Sequence, residues 1–226
     1  MTTAATLKAA CLLALTLALT GSLAASKKDV DEAMGRGGLQ KTSVKGLELA
    51  YVRPGASLAA YKRVKLDPVE VQFDRSWDPT RTGSRIKLSS EERDKIRASV
   101  AKLVEEEFTK TLQKGGIYQI ATEPAADVLR VKISVLNVYI NAPTGTGAGR
   151  SKTYVSSAGQ MTLLAELSDS MSGQLLARVA DRREANSLAR MERADRIENE
   201  GAAREVAAAW AQILRNALDK AHAIGS

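Results

Sequence analysis

The chain has 226 residues, 44% hydrophobic and 26% charged, which excludes wholesale disorder and fits one domain with appendages. Its 33 basic and 26 acidic residues leave a formal charge of +7. With one cysteine, Cys11, and one histidine, His222, there is no intrachain Cys/His zinc site and no disulfide framework. A Ser-His-Asp triad would have to use His222.

Residues 1–25 read as a secretory signal peptide. Lys8 supplies the positive n-region. Ala9 to Leu19 is an apolar run, shorter than the ~20 residues of a membrane span. Small residues follow, so cleavage falls after Ala24 or Ala25, unless the signal is retained as an anchor. Leu19-Thr20-Gly21-Ser22 has the form of a lipoprotein box with Ser22 at the cysteine position. A hydroxyl cannot form the lipid thioether, and Cys11 lies inside the apolar run, so no lipidation is expected. The predicted location is the periplasm or the exterior, with peripheral attachment to the outer membrane left open and no transmembrane helix after cleavage. Without Lys8 the mature chain has 32 basic and 26 acidic residues, or +6.

Residues 26–46 are rich in Lys, Asp, Gly and Ser and predict a flexible leader before a single α+β domain over 47–223. Leu47 to Val52 alternates as a short strand. From Tyr61 to Phe73 the alternation changes parity at Asp67-Pro68, where proline lacks a ladder N–H; a bulge or an edge is expected there. Ser89-Ser90-Glu91-Glu92 is a capping box. The helix after it places Ile96, Val100, Leu103, Val104, Phe108 and Leu112 on one stripe, and Gly115-Gly116 ends it. Ile117 to Ala121 and Asp127 to Ile140 are strands, the second with a bulge or strong twist near Val135-Leu136. Gln160 to Leu167 and Leu175 to Val179 form a hairpin around Asp169 to Gly173. Asp181 to Glu200 is heavily charged, and Ala202 to Ala223 is a helix with Val206, Trp210, Ile213, Leu214 and Ala217 on one side. Two helices, each with one apolar stripe, need a sheet to cover them. The expected fold is α+β, a mixed or antiparallel sheet with two main helices packed on one face.

Several blocks resemble one known family: Tyr51-Val52-Arg53-Pro54-Gly55-Ala56, Tyr61-Lys62-Arg63-Val64, Leu66-Asp67-Pro68-Val69-Glu70-Val71, Glu166 to Ser170, Ser172 to Ala177, and Trp210-Ala211. They look like a bacterial envelope lipoprotein family of unknown function, domain of unknown function 3313. The departure is Ser22, where members usually carry the lipidated cysteine. The resemblance implies an envelope protein and carries over no catalytic residue.

Candidate chemistry is thin. Gly145, Gly147 and Gly149 before Arg150-Ser151-Lys152 invite a phosphate-loop reading, but a strand rather than a helix follows, and a hairpin loop fits better. Asp67 and Glu70, with Asp74 nearby, could serve as paired carboxylates in a cleft; a charged edge strand explains them as well. Glu105-Glu106-Glu107 reads as a solvated helix face. Arg178 to Arg204 holds seven Arg and six acids and no aromatic at all, which reads as a salt-bridged helix or mobile polar loop and not as a nucleic-acid stripe. Residues 36–87 carry eleven basic and five acidic side chains, the whole +6 excess, and in an exported protein this points to an anionic lipid or glycan.

The sequence therefore predicts a non-enzymatic envelope protein that works as a binding or structural module, with no metal and no cofactor. Its partner is expected to be an envelope protein, an anionic lipid or a glycan, and not nucleic acid. Asp67, Glu70, Arg150 and Arg182 are the candidate binding residues. The alternative is a periplasmic hydrolase using carboxylates such as Asp67 and Glu70.

Overall fold

The computed structural model describes residues 27–77, 88–140, 154–155, 159–185, 192–193 and 196–223. The segment 1–25, expected to be a signal peptide, lies outside these residues. The described chain runs α1 (Lys27–Gly35), β1 (Gln40–Thr42), β2 (Leu49–Val52), β3 (Arg63–Leu66), β4 (Glu70–Phe73), α2 (Ser90–Gln113), β5 (Gln119–Ile120), β6 (Val128–Ile140), β7 (Tyr154–Val155), β8 (Gly159–Asp169), β9 (Leu175–Ala185), β10 (Glu192–Arg193) and α3 (Arg196–Ala221). Eight strands form a mixed sheet in the order β1-β2-β9-β8-β6-β3-β5, with β4 also paired to β6. The β3–β5, β3–β6 and β4–β6 pairs are parallel and the others antiparallel. β7 and β10 make a separate antiparallel pair.

Alternation decides the faces. Leu129, Val131, Ile133 and Val135 of β6, with Leu163, Ala165 and Leu167 of β8, point to one side and are buried. Leu103, Val104, Phe108 and Leu112 of α2 cover them, together with Val206, Trp210, Leu214 and Leu218 of α3. Burial of each such Leu or Val contributes about 1.5–3 kcal/mol, so this layer holds the domain together. Ala207 and Ala211 are fully buried, and their small side chains let α3 approach closely. The α+β fold with two main helices on one face is as expected.

The start of α2 follows from its capping box: the Ser89 hydroxyl accepts from Glu92 N–H at 3.2 Å, and Glu92 Oε2 accepts from Ser89 N–H at 2.8 Å. Gly115 and Gly116 have φ of +77° and +70°, which lets the chain leave the helix after a single 3₁₀ turn.

Both predicted bulges are present, and they compensate. Leu66 pairs with Val131 and Glu70 with Ser134, so the β3–β4 side carries one extra residue at Asp67-Pro68-Val69. Val71 then pairs with Val135 and Phe73 with Val138, so β6 carries one extra residue, at Asn137 with φ of +52°. The second bulge lies one or two positions beyond the expected Val135-Leu136, because asparagine tolerates the left-handed conformation that the β-rich neighbours do not.

Three segments differ from expectation. Residues 27–42 contain α1 and β1 in place of a flexible leader. Met34 and Leu39 are buried with Tyr51 on the sheet face opposite α2 and α3, beside Leu164 and Leu175. Arg178 Nη1 donates to the carbonyls of Ala33 and Met34 at 2.8 and 3.0 Å, closing the end of α1. Two apolar anchors suffice here, and the surrounding Lys, Asp and Gly conceal them in composition.

The charged stretch begins as strand: β9 runs on to Ala185. Asp181 takes an inward position there, buried because the Trp210 indole N–H donates to it at 2.8 Å. The stretch then re-enters helix at Arg196, six residues before the expected start of α3 at Ala202. Glu105-Glu106-Glu107 is not simply solvated either. Glu107 is buried and pairs with Arg204 at 3.1 Å, while Glu105 accepts the Val69 N–H at 3.0 Å.

Candidate binding groove

The bulge at Pro68 turns Asp67 and Glu70 to the same side, the sheet face not covered by α2 and α3. There each meets a base from β6. Asp67 accepts from Arg130 Nε at 2.8 Å, and Glu70 pairs with Lys132 at 3.0 Å. The hydrogen bond it donates to Asp67 raises the Arg130 pKa, so that guanidinium stays charged. Arg182, on β9, donates to Gln160 Oε1 at 2.6 Å. Between Arg182 and the β4 residues lie β8 and β6, about 14 Å of sheet at ~4.8 Å per strand, so these side chains do not converge. Arg150 lies outside the described residues. This face thus carries cross-strand ion pairs, and at the end of α1 it also holds Arg178 with Glu166 at 2.7 Å.

A concave feature lies elsewhere, between β4 and the first half of α2. It is a groove of about 570 Å³ lined by Val71, Gln72 and Phe73 of β4 and by Asp74 directly after it, and by Arg93 and Arg97 across from them, with Arg75 and Trp77 at one end. Successive strand residues point to opposite faces, so four in a row can line one groove only if it runs along the strand's edge. β4 pairs with β6 and, among the described residues, with no strand on its other side.

The walls of the groove are built locally. Asp74 Oδ1 accepts from Ser76 N–H at 2.8 Å and shapes the turn after β4. That turn drops Trp77 into the core at 4% exposure, where its indole N–H donates to the Ile140 carbonyl at 2.9 Å. Trp77 and Phe73 stack with ring centroids 4.4 Å apart and planes at 21°. Arg93 and Arg97 are one helical turn apart. Their guanidinium carbons lie 5.8 Å from the Trp77 ring centroid and 5.3 Å from that of Phe73. Arg97 also pairs with Asp94. The rings hold two long cationic side chains near fixed positions, which lowers the entropy lost when they engage an anion.

Among the described residues no group of three or more His, Cys, Asp or Glu side chains is placed to hold a metal ion. None of their helices is long and apolar enough to cross a membrane. Among the perturbed groups that lie away from the groove, Tyr118 and Asp169 serve the fold. Burial, then the hydrogen bond to Asp219 at 2.7 Å, raises the Tyr118 pKa. Hydrogen bonds from the Ser172 N–H and hydroxyl hold Asp169 below the ordinary carboxylate value in the β8–β9 turn.

Sequence reasoning singled out Asp67 and Glu70 and passed over Phe73, Trp77, Arg93 and Arg97. The available signal was the aromatic pair at a spacing of four, starting at the last residue of β4, and the arginine pair at a spacing of four in α2. Only the fold brings the two pairs together.

No curated protein matches the sequence. Among solved structures, a PelC dodecamer from Paraburkholderia phytofirmans is similar at a TM-score of 0.38 and 16% identity, covering 78% of this chain and 96% of that one. Protein XCC0632 from Xanthomonas campestris is similar at a TM-score of 0.38 and 14% identity, covering 75% and 93%. A PDZ domain protein from Parabacteroides distasonis reaches a TM-score of 0.33 and 12% identity over 82% of this chain and 40% of that one. At these values the likenesses say nothing about activity or assembly here. A family model described as "Protein of unknown function (DUF3313)" matches residues 32–214, from within α1 to Leu214 of α3 and therefore across the sheet and both walls of the groove, and the chain belongs to that family.

Proposed function

We propose that this protein is an exported, non-enzymatic binding module of the bacterial envelope, working in the periplasm or at the periplasmic side of the outer membrane. The signal-like N-terminus supports export, and Ser22 in the lipobox position supports an unlipidated mature chain. The observation that carries the binding role is the groove: beside Gln72, Asp74 and Arg75, its wall on α2 carries two guanidiniums held over aromatic rings. Such groups recognise anionic partners by geometry and charge and supply no acid–base pair for hydrolysis. Asp67 and Glu70, the carboxylates a hydrolase would use, are each engaged by a base on another face.

The test is site-specific photocrosslinking in intact cells from Gln72, which is exposed in the groove wall. A discrete crosslinked adduct in the envelope fraction is expected from Gln72 and not from the exposed Lys62, which lies outside the groove. Equal adducts from both positions, or the protein recovered from the cytosol, would overturn the proposal.

A further inference from the structure

Resting on that reading, we infer that the groove takes an extended acidic peptide of another polypeptide, which adds as a strand to the outer edge of β4 and places alternate carboxylates on Arg97 and Arg93.

Backbone direction carries the first part. Asp74 N–H donates to the Val138 carbonyl of β6 at 3.0 Å. In a regular strand the N–H and C=O of one residue point the same way and those of the next point oppositely, so Gln72 also faces β6. The peptide groups of Val71 and Phe73 then face away from β6, toward the groove. Val69 supports this assignment: its N–H, two residues before Val71, also points away from β6 and is taken by Glu105 of α2 at 3.0 Å. Glu105 thus closes one end of the edge, and beyond it lie the donors and acceptors of Val71 and Phe73. A strand edge of this kind is a template for an added strand.

The side chains carry the second part. Glu105 lies at Val69, Arg97 at the Phe73 ring and Arg93 at the Trp77 ring, so α2 runs antiparallel to β4 along its edge. Arg93 and Arg97 are separated by about 6 Å of helix rise. Residues i and i+2 of an extended peptide are separated by about 6.6 Å and point to the same face. A peptide on the β4 edge therefore presents every second side chain to this arginine pair in near register. The matching pattern is acid, any residue, acid. A lipid headgroup would also meet the charge, but it would leave the peptide groups of Val71 and Phe73 without the partners an extended backbone offers.

The test starts from a random peptide library displayed on phage and selected against the full mature protein. Selected peptides should carry Asp or Glu at alternate positions. Synthetic copies should bind about tenfold more weakly to an R93Q/R97Q variant of unchanged circular dichroism, with most of the affinity kept by R93K/R97K. N-methylation at alternate peptide nitrogens should abolish binding, and at the intervening nitrogens it should change affinity less than about twofold. Three outcomes overturn the inference: no acidic selection, full binding by R93Q/R97Q, or indifference to N-methylation. Binding of phosphatidylglycerol vesicles that is lost in R93Q/R97Q, with no peptide selected, would assign the groove to lipid and overturn it too. The Gln72 crosslink separates the two levels. An adduct that persists when peptide selection fails removes strand addition and leaves the binding module standing.

Discussion

Asp181 is the side chain on which three elements meet. Its carboxylate, on β9, accepts from the Trp210 indole N–H of α3 at 2.8 Å, from Arg183 Nε at 2.7 Å, and from the backbone N–H of Glu48 beside β2 at 3.1 Å. Asp181→Ala removes all three acceptor contacts. The Trp210 N–H is left in a site where the residue is only 2% exposed, which costs about 1–3 kcal/mol. The Glu48 N–H adds about 1 kcal/mol. The Arg183 side chain is 27% exposed and can turn to water, so its loss sits well below the 3–5 kcal/mol of a fully buried pair. The sum is about 3–4 kcal/mol, a large fraction of the about 5–15 kcal/mol typical of a domain. At about 3 °C per kcal/mol for a domain of this size, the melting temperature should fall by about 10 °C. Urea unfolding followed by circular dichroism measures the free-energy loss and a thermal melt the shift in melting temperature, and a double-mutant cycle with Trp210→Phe isolates the indole contact. The cycle should return a coupling of about 1–2 kcal/mol, because the phenylalanine has no N–H to strand. A loss under about 0.5 kcal/mol for Asp181→Ala, or strict additivity with Trp210→Phe, would refute the reasoning.

Other substitutions test other links. At Gly159, φ is +153° and an added Cβ would lie 2.2 Å from the Tyr139 carbonyl oxygen, so Gly159→Ala should destabilise by more than about 2 kcal/mol in the same urea assay. Ser89→Ala removes the side-chain half of the capping box and should cost about 1 kcal/mol, with the helix otherwise intact. The Asp169 carboxyl titrates below its ordinary value in the folded chain, mainly through the Ser172 hydrogen bonds. Its contribution to stability is therefore full above the unfolded carboxylate pKa and is lost as pH falls through the lowered folded value; Asp169→Asn should flatten that acid limb in thermal melts taken across pH. Intact mass of the exported protein should equal the chain cleaved after Ala24 or Ala25 with no diacylglycerol, whereas an adduct at the N-terminus would contradict the reading of Ser22.

Much of the architecture was legible because local physics decides it. The Ser89–Glu92 box starts α2, Gly115-Gly116 ends it, and period-two alternation marks β6 and β8 wherever one face is buried. A parity change announced each bulge, at Pro68 and near Asn137, since a one-residue slip must show as a switch of apolar positions. Composition misled where a few residues outweighed it. Met34 and Leu39 anchor a segment that is mostly charged or glycine, and Asp181 occupies an inward strand position that no local pattern assigns to a charge.

The sequence by itself determined the α+β class, the two helical stripes and the bulges, because each depends on neighbours a few residues apart, and composition alone determined the shortage of cysteine and histidine chemistry. Only the tertiary structure decided where charge is spent and where it is available. Asp67 and Glu70 are matched by Arg130 and Lys132, about sixty positions away in the chain and adjacent across a strand pair. Arg93 and Arg97 come to lie over Phe73 and Trp77, and beside a strand edge, because α2 packs antiparallel to β4. Which side chains face one another across elements is set by sheet order and helix placement, and those are properties of the whole core.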